Sequence, residues 1–255
     1  MKSRDSKKQN ELIRKRKKAR NRKRFALFLV FLIGILILLS LKTDYFYIKK
    51  IIVENNKIVS GEEIVAKSGI TEQSNILYIN TKQIKKDILE SSYIQEVSVE
   101  RKLPNTLVIS VIEREAKYHL NFNEKIFIFD KDLNILEIRG DNPLGLPEIK
   151  GLNLDNKGPG DKGSDSERIR AFVAKYTELM TRTDTPLPIS QIDLTDTLNI
   201  KLIVNAMTIK IGDEDGLERK LNNAINIFNS DERYLTSSGY IDVSFNGNPV
   251  IYLEN

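Results

Sequence analysis

An uncharged run of seventeen residues, Phe25 to Leu41 (FALFLVFLIGILILLSL), limits the possible architectures more than any other feature. As a helix it is about 26 Å long, and the flanking Arg24 and Lys42 can snorkel to match a hydrocarbon core of ~30 Å. A cleaved signal peptide would have a shorter apolar region followed by small residues. Here the bulky, aromatic LKTDYFYIKK follows, so residues 25–41 are predicted to be an uncleaved transmembrane helix. Residues 1–24 carry thirteen Lys/Arg against Asp5 and Glu11, a net of +11, whereas the remainder carries 27 basic and 33 acidic side chains, a net of −6. A basic block on one side of a span is held in the cytoplasm, which places residues from about Lys42 onward outside. Residues 1–24 are expected to be a disordered cytoplasmic tail, because like charges repel and there is no apolar surface to bury. Its expected contact is anionic membrane lipid, at ~1 kcal/mol per nearby charge, rather than nucleic acid.

Beyond the span lie two differently patterned regions. IKKIIVENN reads as a strand closed by Asn-Asn. Ser60-Gly61-Glu62-Glu63 is a capping box for a short helix that ends at Gly69, and Asn80-Thr81-Lys82-Gln83 opens a second helix with Ile84, Ile88 and Leu89 on one face. Val97 and Val99 then alternate with Ser98 and Glu100, Leu103-Pro104-Asn105-Thr106 turns, and Leu107, Ile109 and Val111 alternate back toward Glu113-Arg114. Val99 and Ile109 are placed on the buried face.

This β-α-α-β-β order directly after a membrane span, with RKLPNTLVISVIERE at the closing hairpin, resembles the POTRA domain of the FtsQ/DivIB family of bacterial division proteins. The resemblance implies a POTRA-like domain over residues 46–114 and a β-rich partner-binding domain over 115–255. Leu146-Pro147-Glu148-Ile149-Lys150-Gly151 and Tyr240-Ile241-Asp242-Val243 are similar to two further elements of that family. The expected fold class is α+β: one N-terminal transmembrane helix, the POTRA-like domain, then a mixed, mainly antiparallel sheet with helices.

In the second region strands are expected at Tyr118–Phe122, Lys125–Asp130 and Ile135–Arg139, then at Ile189–Leu194, Asn199–Val204 and Thr208–Ile211. Between these sets, residues 153–166 form a Gly-rich, flexible surface loop, and Ser164-Asp165-Ser166-Glu167 caps a helix to about Thr181. A second helix over Gly216–Asn229 carries Leu217, Leu221, Ile225 and Phe228 at helical spacing. The chain closes with Tyr240–Phe245, the turn Asn246-Gly247-Asn248, and Pro249–Leu253.

Motifs for chemistry are weak. With no cysteine there is no disulfide, thiolate metal site or cysteine nucleophile. His119 is the single histidine, and no nucleophile elbow exists beside which it could act as a base. Gly158 to Gly163 has phosphate-loop spacing, but Ser164 stands where the lysine belongs. Asp130-Lys131-Asp132-Leu133-Asn134 begins like a calcium loop but lacks its glycine and its final glutamate, and reads as a β-turn. Asp213-Glu214-Asp215 suits a helix N-terminus. No cofactor, no metal site and no catalytic residue are expected.

The expected role is therefore a non-catalytic scaffold. The alternative is a membrane-anchored cell-wall hydrolase, for which no carboxylate pair stands in an aromatic sugar-binding context. Pro249 and the short final strand suit a sheet edge, which either stays solvated or pairs with an incoming segment. The resemblance implies the second, since the family's partner contact lies in the last strands. The candidate partner-binding residues are Tyr240, Asp242, Ser244, Phe245, Pro249, Val250 and Tyr252. The partners implied by the resemblance are division proteins of the FtsB/DivIC and FtsL types and, indirectly, the septal peptidoglycan synthase. The implied location is the bacterial cell membrane, concentrated at the division septum.

Overall fold

The computed structural model describes residues 2–42, 44–71, 73–141 and 144–254. Helix α1 spans Lys2–Lys42 and so continues through the basic block, in place of the disorder expected of that block. Lys, Arg and Gln are good helix formers, and a block joined to an apolar helix need not nucleate on its own. Among the described residues no helix is long and apolar enough to cross a membrane. The apolar run itself continues into Ser40 and Leu41, whose side chains lie outside the described set. From Phe25 to Leu39 its large side chains are exposed all round the helix, from 38% at Ile35 to 70% at Leu27.

The first domain follows the expected order. A 3-10 turn, Asp44–Phe46, leads to β1 (Lys50–Glu54), α2 (Gly61–Lys67), α3 (Thr81–Leu89), β2 (Ile94–Lys102) and β3 (Thr106–Glu113). Both caps form, Ser60 Oγ accepting from Glu63 N–H and Asn80 Oδ1 from Lys82 and Gln83 N–H. Gly69, at φ +65°, ends α2 in the left-handed conformation. The sheet has the order β1-β3-β2, β3 being parallel to β1 and antiparallel to β2. Ile64, Ile84 and Ile88 of the helices pack on Leu107, Ile109 and Val111 of the central strand. Ile109 is fully buried, but Val99 on the edge strand β2 is only partly so, because an edge strand lacks a neighbour on one side.

The second domain is built on one nine-stranded sheet, in the order β12-β11-β10-β9-β8-β7-β4-β5-β6. Its strands are β4 (Tyr118–Phe122), β5 (Lys125–Phe129), β6 (Ile135–Arg139), β7 (Glu148–Lys150), β8 (Gln191–Asp193), β9 (Ile200–Val204), β10 (Met207–Gly212), β11 (Gly239–Asp242) and β12 (Val250–Leu253). Five neighbouring pairs are antiparallel and three (β4/β7, β7/β8, β10/β11) are parallel. Helices α4 (Glu167–Arg182) and α5 (Leu217–Ser230) cover one face. The cap of α4 is Ser166, whose Oγ accepts from Ile169 N–H, while Ser164 Oγ accepts from Ser166 N–H. Beneath α4, Thr177 Oγ1 donates to the Val173 carbonyl, so Tyr118 donates to Thr177 at 2.6 Å. Burial pushes the Tyr118 hydroxyl up to about 12.

The expected flexible loop is pinned instead. Gly160 N–H donates to Ile135 O, Ile135 N–H to Asp161 O, and Gly163 N–H to Leu133 O. A Cβ at Gly163 would meet the Phe129 ring, so the glycine lets this loop lie against the β5–β6 hairpin. The Asp130 turn closes that hairpin: its carboxylate accepts from the N–H groups of Asp132 and Asn134, from Asn134 Nδ2 and from Arg114 Nη1.

That last bond, at 2.7 Å, joins the two domains, since Arg114 follows β3. Beside it Ser92 Oγ donates to Leu136 O, and burial together with a hydrogen bond to Glu137 raises the Tyr93 hydroxyl to about 12. Ile128 and Leu136 are fully buried yet belong to neither core. Glu113, the neighbour of Arg114, faces the other way: its carboxylate accepts the N–H groups of Lys57, Ile58 and Val59 at 2.8–2.9 Å.

Candidate protein-interaction site

A row of apolar side chains crosses the second sheet in register: Ile149, Ile192, Leu202, Ile209, Ile241, Ile251. The first five are buried, whereas Ile251 on β12 is 42% exposed. The core stripe therefore breaks surface at the sheet's edge. On the opposite face a second row runs Ile203, Thr208, Tyr240, Tyr252, and beside it Lys201, Lys210, Asp242, Val250. Tyr240 and Tyr252 stack at 5.4 Å between centroids, and Lys210 Nζ lies 3.6 Å from the centre of the Tyr240 ring. This cation-π contact orders both rings.

The backbone of β12 shows which groups are open. Glu254 N–H donates to Ser238 O, so this pair is a hydrogen-bonded one in the antiparallel β11–β12 ladder. Such pairs alternate. Tyr240/Tyr252 and Asp242/Val250 are then also hydrogen-bonded, whereas the N–H and C=O of Ile251 and Leu253 point away from β11. Pro249 has the same parity, so its missing donor faces the open side, where nothing in this sheet needs it. Gly239 permits the close pairing: its φ is +146°, and a Cβ there would collide with the Tyr252 carbonyl oxygen.

The other edge of the sheet is blunted. The 158–163 loop hydrogen-bonds to Leu133 and Ile135, and the first domain's Ser92 takes the Leu136 carbonyl. Natural sheets manage their edges in this way. Among the described residues β12 has a strand on one side only.

The predicted site residues separate into two groups. Tyr240, Val250 and Tyr252 lie on one face, Val250 and Tyr252 being 46% and 50% exposed. Phe245, in the turn, is exposed with its ring against Gly247, and Pro249 leads into β12. Asp242 and Ser244 are engaged with each other, the carboxylate accepting Ser244 N–H at 3.0 Å and Ser244 Oγ at 2.6 Å. They shape the turn rather than present free groups. Ile251 and Lys210 were missed from sequence. Ile251 falls on the inward parity of the strand, and its exposure arises because the apolar row ends there. Lys210 is brought to Tyr240 by strand pairing, which no local pattern announces.

Of the other motifs, His119 lies on β4 opposite Ile128 and beside Glu148. Asp213 accepts from the buried Lys220 at 2.7 Å, which holds its carboxyl below the usual range, and Glu214 accepts from Arg168. Among the described residues no group of His, Cys, Asp and Glu is arranged to hold a metal ion.

Comparison with known proteins places the chain in a family. A POTRA domain of FtsQ type matches residues 46–114. The cell division protein DivIB of Clostridium acetobutylicum is 39% identical over 249 residues, covering 97% of this chain and 99% of that protein. DivIB of Clostridium botulinum is 36% identical over 248 residues, 96% of each chain. Cell division protein FtsQ of Syntrophotalea carbinolica is 26% identical over 219 residues, 83% of this chain and 76% of its own length.

Proposed function

The chain belongs to the DivIB/FtsQ family of cell division proteins, and from that premise we propose that it is a non-catalytic scaffold of the division complex that captures partner proteins along the free edge of β12. One observation carries this reading: the core stripe and an unpaired ladder reach the surface together at β12. Ile251, Val250 and Tyr252 are each 42–50% exposed beside outward-facing backbone groups. An incoming extended segment gains main-chain hydrogen bonds from such an edge, while Tyr252, Val250 and Phe245 supply side-chain anchors. The partners proposed are division proteins of the FtsB/DivIC and FtsL types, with the septal peptidoglycan synthase engaged through them.

The helix α1 is the proposed anchor. Apolar side chains exposed all round a helix need an apolar surrounding, and a bilayer supplies one. With the basic block on the cytoplasmic side, both folded domains stand outside the membrane, and the protein gathers at the septum.

Ile251→Pro tests the site cleanly. The replaced N–H points away from β11, so the substitution removes a donor from the free edge and none from the existing ladder. The full chain, co-expressed with DivIC- and FtsL-type proteins, is expected to lose their capture through Ile251→Pro while its thermal unfolding stays close to wild type. Tyr252→Ala is expected to weaken capture by about 2 kcal/mol, the scale of an aromatic hot spot. Undiminished capture by folded Ile251→Pro would move the interface away from β12.

A further inference from the structure

We propose that the end of the first domain nearest α1 is itself a lipid-binding surface, which lays the domain on anionic phospholipid. This rests on the reading of α1 as a membrane anchor and extends it to a second, separate contact.

Chain length fixes which end of the domain is concerned. The Asp44–Phe46 turn begins two residues after Lys42, the last residue of α1, and two residues reach at most about 7 Å. Two distant segments are tied to this entry point. Ile76 N–H donates to Phe46 O, Ile48 N–H to Ser74 O, and Lys49 N–H to Asn105 O, at 2.9–3.0 Å. Arg101 Nη2 donates to Ile79 O at 2.7 Å, which joins the second segment to the third. Residues 44–50, 74–82 and 101–106 therefore form one continuous end of the domain.

That end has an unusual composition. It exposes four large apolar side chains, Tyr45 (61%), Leu77 (37%), Tyr78 (52%) and Leu103 (61%). Lys49, Lys50, Lys82, Arg101 and Lys102 surround them, all exposed, against the single acid Asp44. Lys50 and Lys102 flank Thr106 in one cross-strand row at the hairpin end of the sheet. The three segments thus hold five basic and one acidic side chain, a net of +4. The rest of residues 51–114 holds five basic and nine acidic ones, a net of −4. The domain is electrically polarised, with its positive, apolar-tipped end toward the anchor. Exposed tyrosine and leucine among lysines is the composition of a membrane-interface contact. A lysine near an anionic bilayer adds about fivefold to binding, and the attraction fades within a Debye length.

Because the chain has no cysteine, single nitroxide labels can be placed in the full protein without competing thiols. Labels at Leu77→Cys and Leu103→Cys report the surface. A label at Ile33→Cys reports the anchor, and one at Lys57→Cys reports an exposed point elsewhere on the domain. The protein is reconstituted in vesicles containing phosphatidylglycerol or made of phosphatidylcholine alone, and the accessibility of each label to oxygen and to an aqueous nickel chelate is measured. In phosphatidylglycerol vesicles the labels at 77 and 103 are expected at interfacial depth, that at 33 immersed and that at 57 in water. Changing Lys49, Lys50, Lys82 and Lys102 to Glu, or raising the salt, should return 77 and 103 to water with 33 still immersed. Aqueous labels at 77 and 103 with 33 immersed would overturn the docking alone. An aqueous label at 33 would overturn the anchor as well. Equal immersion in both lipids, unmoved by the charge reversals, would overturn recognition of anionic lipid.

Discussion

Glu113 tests how the first domain is held together, because one carboxylate serves three backbone donors. It accepts the N–H groups of Lys57, Ile58 and Val59 at 2.9, 2.8 and 2.9 Å, across 54 to 56 residues of sequence. Bonds to a charged acceptor contribute about 1.5–3 kcal/mol each when water cannot replace them. Lys57 and Ile58 are exposed, so water recovers most of their share, and about 0.5 kcal/mol remains for each. Val59 is 6% exposed and belongs to the core, so its orphaned N–H costs about 2 kcal/mol. Glu113→Ala should therefore destabilise the loop that feeds α2 by about 3 kcal/mol, and Glu113→Gln by roughly half, since an amide oxygen still accepts. Hydrogen exchange on the full chain reads this directly: protection of the Lys57–Val59 amides should fall by roughly a hundredfold in Glu113→Ala. Unchanged protection, with stability within about 0.5 kcal/mol of wild type, would refute the reasoning and show that packing of Val59 alone holds the loop.

Two further outcomes follow from the cores. Ile109→Asn places an amide in a fully buried site on a central strand and should cost about 3 kcal/mol or more in chemical denaturation, against about 1 kcal/mol for Val99→Asn on the edge strand. Tyr118, raised to about 12 by burial, stabilises the fold fully below the ordinary tyrosine value near 10. Stability should fall as pH rises from about 10 to 12, by up to about 3 kcal/mol, and Tyr118→Phe should remove that part of the alkaline loss in a pH series of thermal melts.

The elements most legible in the sequence were those set by local chemistry. Ser60 and Asn80 cap as their spacing predicts, and the alternation of Leu107, Ile109 and Val111 gives the buried face of β3. What was not legible depends on pieces far apart in sequence. Ser92 and Arg114 reach Leu136 and Asp130 only once both domains exist, so the seam between them has no local signature. Residues 158–163 have the composition of a mobile loop, yet they lie on β6 because the β5–β6 hairpin offers them carbonyl and N–H partners. At the candidate site the edge position of β12 could be read from Pro249 and the short final strand. The exposure of Ile251 could not, since period-two alternation puts it inward and only the end of the apolar row across the sheet turns it out.

Strand β3 also acts as a spacer. It runs eight residues from the hairpin beside Lys49 to Glu113, the residue before the seam. At about 3.4 Å per residue it holds the second domain some 27 Å from the hairpin end. That standoff is quantised. Shortening β3 by two residues lowers it by about 7 Å and keeps Ile109-type positions facing the core, whereas removing one residue turns every side chain beyond the cut to the opposite face. The height at which the second domain stands above the hairpin end is thus adjustable only in pairs of residues.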